Sequence, residues 1–208
     1  MKSKSLTPIS PLSKEQTIGL LLSRKSSDLQ AGKRAAIAMS RIYGYLRAAR
    51  KQVHAIEALE KKADPKKPSY SSTMIQAFIH AHLYFICWAA IGRMIEVVRR
   101  SSGLKAPHGV WKKHRKTLNS YAAARDHFEH YEERLPGGKR SEKLVNPSDY
   151  GNLHHGWFSL GGYRWDVSKE SLKKLENIVA ELDANISREA SERRRGQRPV
   201  TFLSTNPA

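Results

Sequence analysis

Apolar residues recur at spacings of three, four and seven along most of this chain, and that period makes helices where a period of two would make strands. The longest such stripe is Ala35, Ile37, Ala38, Ile42, Tyr45, Leu46, Val53, Ile56 and Leu59, which predicts one helix from Ala31 to about Ala63. Lys33, Arg34, Arg41, Arg47, Arg50 and Lys51 fall on its other side, and Asp64-Pro65-Lys66-Lys67-Pro68 breaks it. A shorter helix precedes it, capped by Ser13 and running to about Leu29, with Ile18, Leu21 and Leu22 as its apolar face. Ser71 or Ser72 caps a third helix that runs to about Arg100. Its stretch from Leu83 to Gly92 is almost wholly apolar, but a membrane span needs about 20 such residues. His80, His82, Arg93 and Glu96 crowd the two ends, so this is read as the central helix of a bundle. His80 and His82 are two apart and share no helical face, which makes them a poor metal pair and suits satisfied structural histidines.

After a loop from Ser101 to Gly109, a fourth helix starts at about Val110 or Leu118 and runs to Leu135, where Pro136-Gly137-Gly138 end it. A second loop, Pro136 to Asn152, leads to Trp157-Phe158-Ser159-Leu160, Gly161-Gly162 and Tyr163-Arg164-Trp165, which read as a β-hairpin. Its aromatics either pack on the bundle or stack on unpaired bases. Ser168 caps a last helix to about Glu189, with Ser171 where a Glu or Gln would complete a capping box. Leu172, Leu175, Ile178, Val179, Leu182 and Ile186 are its apolar face. The expected fold is an all-α bundle of about five helices with a small β-hairpin before the last. It occupies residues 13–195, between a disordered arm over 1–12 and a disordered tail over 196–208.

With 39% hydrophobic residues among 208, one real core is possible, and disorder of the whole chain is excluded. The formal net charge of +18 favours a polyanionic partner, RNA or DNA before a membrane surface. Arg193, Arg194 and Arg195, with Arg198 beyond, are candidate phosphate contacts or else a solvated terminus. Cys87 is the only cysteine, which rules out an internal disulfide and suits a small buried hydrophobe. Met1 to Lys14 is polar, broken by Pro8 and Pro11, and unlike a signal peptide, so a cytoplasmic protein is expected. No internal repeat, Gly-rich phosphate loop or Cys/His zinc framework is visible, and no cofactor is expected.

The segment Ala124-Arg125-Asp126-His127-Phe128-Glu129-His130-Tyr131-Glu132-Glu133-Arg134-Leu135 carries the chemistry. Leu118, Tyr121, Ala122, Phe128 and Leu135 trace its apolar stripe, and Arg125 falls on that stripe, seven after Leu118 and three before Phe128. A guanidinium facing packing partners costs several kcal/mol unless it is paired, on the order expected for buried ions. Asp126 and His130 are four apart, so the carboxylate is placed to orient the imidazole. Arg125 and His130 are roughly 140° apart round the helix and about 7.5 Å along it. A second copy across a two-fold axis would bring Arg from one chain to His of the other.

Arg125, Asp126 and His130 resemble the signature of the HEPN superfamily, Arg-x-x-x-x-His with an acidic or amide residue directly after the Arg. The resemblance also covers the helical layout over roughly residues 13–195 and the basic composition. It implies a dimeric helical bundle and a metal-independent endoribonuclease, a toxin or defence effector with an antitoxin or regulatory partner. Arg125 would hold the scissile phosphate and His130 would transfer a proton. Asp126 would support one of them, and the products would carry a 2′,3′-cyclic phosphate and a 5′-hydroxyl. One departure is that Tyr131, not the second residue after His130, is the tyrosine, so regulation by tyrosine nucleotidylation is not implied. Two alternatives stand beside this. One is a non-catalytic basic helical module for nucleic-acid binding or dimerisation. The other is metal chemistry on His127, His130 and Glu133, disfavoured because the outer two diverge round the helix.

Overall fold

The computed structural model describes residues 14–22, 29–130, 152–160 and 162–196. The expected arm over 1–12, the loop from Pro136 and the end of the tail lie outside them. The elements are α1 (Lys14–Leu22), α2 (Leu29–Lys62), α3 (Tyr70–Ser101) and α4 (Ala106–Glu129), then β1 (Asn152–His154), β2 (Trp157–Leu160), β3 (Tyr163–Asp166) and α5 (Lys169–Gly196). This is the all-α bundle with a small antiparallel sheet before its last helix. α2 to α5 are long because their stripes are long, and tertiary burial of those stripes supplies most of their stability. Met39, Ile42, Val53 and Ile56 of α2, Tyr84, Phe85, Trp88, Ile91 and Ile95 of α3, Leu118 of α4, and Leu175, Leu182 and Ile186 of α5 are fully buried together.

Several boundaries and faces differ from the sequence expectation. In α2, Ile37 is 57% exposed, because it stands two residues from buried Ala35, about 200° round the helix. Tyr43, absent from the expected stripe, is buried, and its hydroxyl donates to Asp183 of α5. Burial first, and that carboxylate second, push the Tyr43 hydroxyl far above its ordinary value, so it stays a neutral donor. Ser69, not Ser71 or Ser72, precedes α3, and its side chain makes no capping bond. α4 begins earlier than expected, with Pro107 in its first turn. Its leading N–H groups are capped from α5, where the Glu189 carboxylate accepts from Lys105 N at 3.0 Å and Ala106 N at 2.7 Å. Ser168 does cap α5, accepting from Glu170 N at 3.1 Å.

The hairpin is a three-stranded meander in the order β1-β2-β3. The extra strand enters through a two-residue turn, His155-Gly156, whose φ values are 50° and 71°. Positive φ at both positions matches the twist of the flanking strands. A Cβ at Gly156 would meet Ser168 Cβ at 2.8 Å. Phe158 pairs with Trp165 across β2 and β3, and both face the bundle, so these two aromatics pack rather than reach solvent. Phe85 lies against them, with ring centroids 5.7 Å from Phe158, 5.9 Å from Trp165, 5.7 Å from Phe128 and 6.1 Å from Tyr121. Trp165 Nε1 donates to Ser120 O at 3.1 Å, and Tyr121 donates to Asp166 O at 2.7 Å. The sheet is thereby fastened to α4 just before the motif.

By length and composition α3 could cross a membrane, but half of its most apolar stretch is buried, against the other helices. Cys87 is buried there, and burial pushes its thiol up to about 11, as suits an inert hydrophobe. At the far end of α3, Glu96 pairs with Arg99 at 2.6 Å and Arg100 at 2.7 Å. The hydrogen bond from Arg99 holds its carboxyl at about 2 against an ordinary 4.5, with Arg100 adding to it and desolvation opposing. A carboxyl lowered in the folded state stabilises above its ordinary value and loses that contribution as pH falls through the folded one. Because both arginines are near the surface, the contribution is discounted to about 1 kcal/mol. Glu96→Gln is therefore expected to lower the urea midpoint at pH 7, with the difference shrinking between pH 4.5 and about 2. A difference that persists unchanged to acid contradicts the ion-pair account.

Candidate functional site

α4 ends where the motif begins to matter. Ala124 is the fully buried residue of its last turns, and Arg125 takes the margin beside it, its side chain 19% exposed. Arg125 Nη2 donates to the Asp126 carboxylate, and Nε lies 3.1 Å from Glu129 Oε2. That second contact is close enough for an ion pair but lacks hydrogen-bond geometry, which leaves the buried Nε without a hydrogen bond. The expected guanidinium among packing partners is thus half-buried and paired, with Glu129 one turn on supplying charge. Asp126, expected to support either Arg125 or His130, gives its carboxylate to Arg125. His130 is the C-cap of α4, its backbone N–H bonded to Asp126 O at 3.2 Å. The helix therefore stops short of Leu135. Glu133, with the rest of 131–151, lies outside the described residues.

A residue from α3 completes this corner. The His82 ring lies parallel to Phe128, centroids 4.9 Å apart at 5°. Its Nε2 is buried with no hydrogen-bond partner among the described residues. Burial lowers its basicity, the Glu129 carboxylate works the other way, and Arg125 lowers it further. Of the two histidines expected to be satisfied, His80 is, with Nδ1 2.7 Å from Gln52 Oε1, while His82 is not. His127 turns elsewhere, its ring 4.7 Å from Tyr163 and 5.5 Å from Trp165. No group of three His, Cys, Asp or Glu residues among those described is placed to hold a metal ion.

The outer face of α4 leads to this corner. Lys112, Arg115, Lys116, Asn119, Ala123 and Asp126 are all exposed and recur every three or four residues, so they share one face with His130. Lys112 to His130 spans about 27 Å along the axis. A second basic face runs along α2, where Lys33, Arg34, Arg41, Arg47 and Lys51 are exposed as expected. Of the basic C-terminal cluster, Arg193 is engaged within the fold, donating to Gly103 O at 2.9 Å and Glu189 at 2.7 Å. α5 runs on past Glu189 through Gly196, but the side chains of Arg194 and Arg195 are not described.

On the sheet, Tyr163 is 57% and Trp157 39% exposed, and Arg164 covers the Trp157 ring at 4.4 Å. A separate cavity of about 470 Å³ lies between the end of α2, the start of α3 and β1. Its carboxylates are already engaged, Glu57 by Lys169 at 2.9 Å and Glu60 by Gly156 N at 3.2 Å.

The place of Arg125 at the edge of the apolar stripe was legible from the sequence. The His82 contribution was not, since only packing of α3 on α4 brings it there. The basic face of α4 was within reach of spacing alone, once the helix is begun before Lys112. No protein-family model matches the chain, and comparison with curated proteins and with solved structures finds no match.

Proposed function

We propose that this chain is a metal-independent endoribonuclease of the HEPN type, which cleaves RNA through attack by the 2′-hydroxyl. The observation that carries the reading is the half-buried, carboxylate-braced guanidinium of Arg125 five residues before His130, the residue that closes the basic face of α4. RNA supplies its own nucleophile, so the protein need only move protons and stabilise charge on the phosphorane. A guanidinium carries five donors in a fixed fork. Asp126 and Glu129 hold that fork in place, and a phosphate has further N–H groups to meet. His130 transfers a proton. The net charge of +18 draws the polyanion in, and the track from Lys112 to Lys116 follows its backbone.

Ile75, Ile79 and Leu83, exposed at four-residue spacing on α3, offer an apolar face to a second copy near His82. The homodimer and the role as a toxin or defence effector with a regulatory partner follow from the HEPN resemblance, and the cytoplasmic location from the polar N-terminal segment. The second reading, a binding module without catalysis, draws on one observation: Arg125 already has two carboxylates for its one charge.

The two readings part in a single assay. Purified protein with single-stranded and structured RNA in excess EDTA is expected to leave 2′,3′-cyclic phosphate and 5′-hydroxyl ends. Salt-sensitive binding with intact RNA would decide for the module.

A further inference from the structure

Cleavage by this route needs two proton transfers. A base takes the 2′-hydroxyl proton as O2′ bonds to phosphorus, and an acid gives a proton to O5′ as the P–O5′ bond breaks. Of the motif's two imidazoles, His127 is turned to the sheet, and His130, two residues from Phe128 and so on the other side of α4, meets this corner only from the second copy of the proposed dimer. The fold brings a second imidazole from another helix to the same corner. We infer that His82 is a catalytic residue, the general base that accepts the 2′-hydroxyl proton, while His130 of the second copy is the acid that gives one to O5′; this rests on the ribonuclease reading and its dimer.

Three features of His82 suit that role. Its ring is held flat on Phe128, so the direction of its nitrogens is set before substrate arrives. Its Nε2 is a buried polar atom with no partner among the described residues, which is rare in folded proteins and costly without a purpose. The residues one turn away on α3 are Phe78, Ile79, Phe85 and Ile86, all apolar. The charged groups facing it come from α4, Arg125 and Glu129. Burial favours the neutral ring, the form that has a lone pair to accept a proton, and Glu129 limits that effect. In the protein without RNA, Nε2 is closed to solvent. Catalytic contacts of this kind commonly form only in the complex. One proton moves onto His82 and one leaves His130, and exchange with water restores both.

The test compares the full chain with His82→Gln, His82→Phe and His130→Ala on two substrates. One is an RNA dinucleotide, and the other a uridine 3′-phosphodiester whose leaving group is p-nitrophenolate, which departs without a proton. His82→Phe keeps a ring on Phe128, so its melting temperature reports whether packing survives. Both His82 variants are expected to lose about 100-fold or more in kcat on both substrates, with little change in KM. His130→Ala should lose as much on the dinucleotide and recover on the nitrophenyl ester. The His82 imidazole resonance of the parent should also shift when uncleavable 2′-deoxy oligonucleotide is added. His82 variants that cut at the parental rate, or that recover on the nitrophenyl ester, overturn this assignment alone. An unshifted resonance does the same. A parent inactive on both substrates overturns the ribonuclease reading and this assignment with it.

Discussion

Arg125→Ala is expected to lower kcat for RNA cleavage by about 10²–10³-fold, the usual cost of removing one preorganised donor to a charged transition state. The loss should fall on kcat more than on KM, because many lysines and arginines bind the RNA backbone while one guanidinium faces the reacting phosphate. Stability should change little. Removing the guanidinium leaves Asp126 and Glu129 unpaired, but they are 51% and 41% exposed, where pairs contribute about 0–1 kcal/mol. Arg125→Lys should recover only part of the rate, since an ammonium cannot span two phosphate oxygens with a planar fork. Single-turnover rates at saturating RNA measure this directly. A variant as fast as the parent would remove Arg125 from the reaction.

Phe85→Ala is expected to destabilise the fold by about 3–5 kcal/mol, the range for deleting a large buried aromatic. Phe85 is fully buried and touches rings from each part of the motif corner: Tyr121 and Phe128 of α4, Phe158 of β2 and Trp165 of β3. Phe128 in turn supports the His82 ring, so activity measured below the unfolding transition should fall along with stability. Urea unfolding at fixed temperature checks the first part. A cost under about 1 kcal/mol would mean that the corner repacks freely, against the usual behaviour of close-packed cores.

The helices were legible because each carries a long stripe, and Leu172 to Ile186 of α5 packs as its spacing demands. Single residues were less so. Ile37 is hydrophobic and near the stripe in sequence, but two residues on a helix is close to the opposite side. Tyr43 is absent from the expected stripe, and its buried hydroxyl meets Asp183, which lies 140 residues away. The third strand was missed because its turn is His155-Gly156 rather than a familiar Asn-Gly or Gly-Gly pair. At the site, helical spacing correctly separated Arg125 from an ordinary solvated face. It left open whether Asp126 would turn to Arg125 or to His130, because side-chain pairing at a helix end depends on where the helix stops. His82 belongs to the same class as Tyr43, legible only once α3 lies on α4.

The account stands most directly on His130. Parent and His130→Ala proteins, matched for folding by melting temperature, should be given the same RNA in excess EDTA at neutral pH, with the ends of any products identified. Cleavage by the parent to 2′,3′-cyclic phosphate and 5′-hydroxyl ends, with a loss of about 10²–10⁴-fold in the variant, is the expected result. Equal cleavage by both proteins would contradict it.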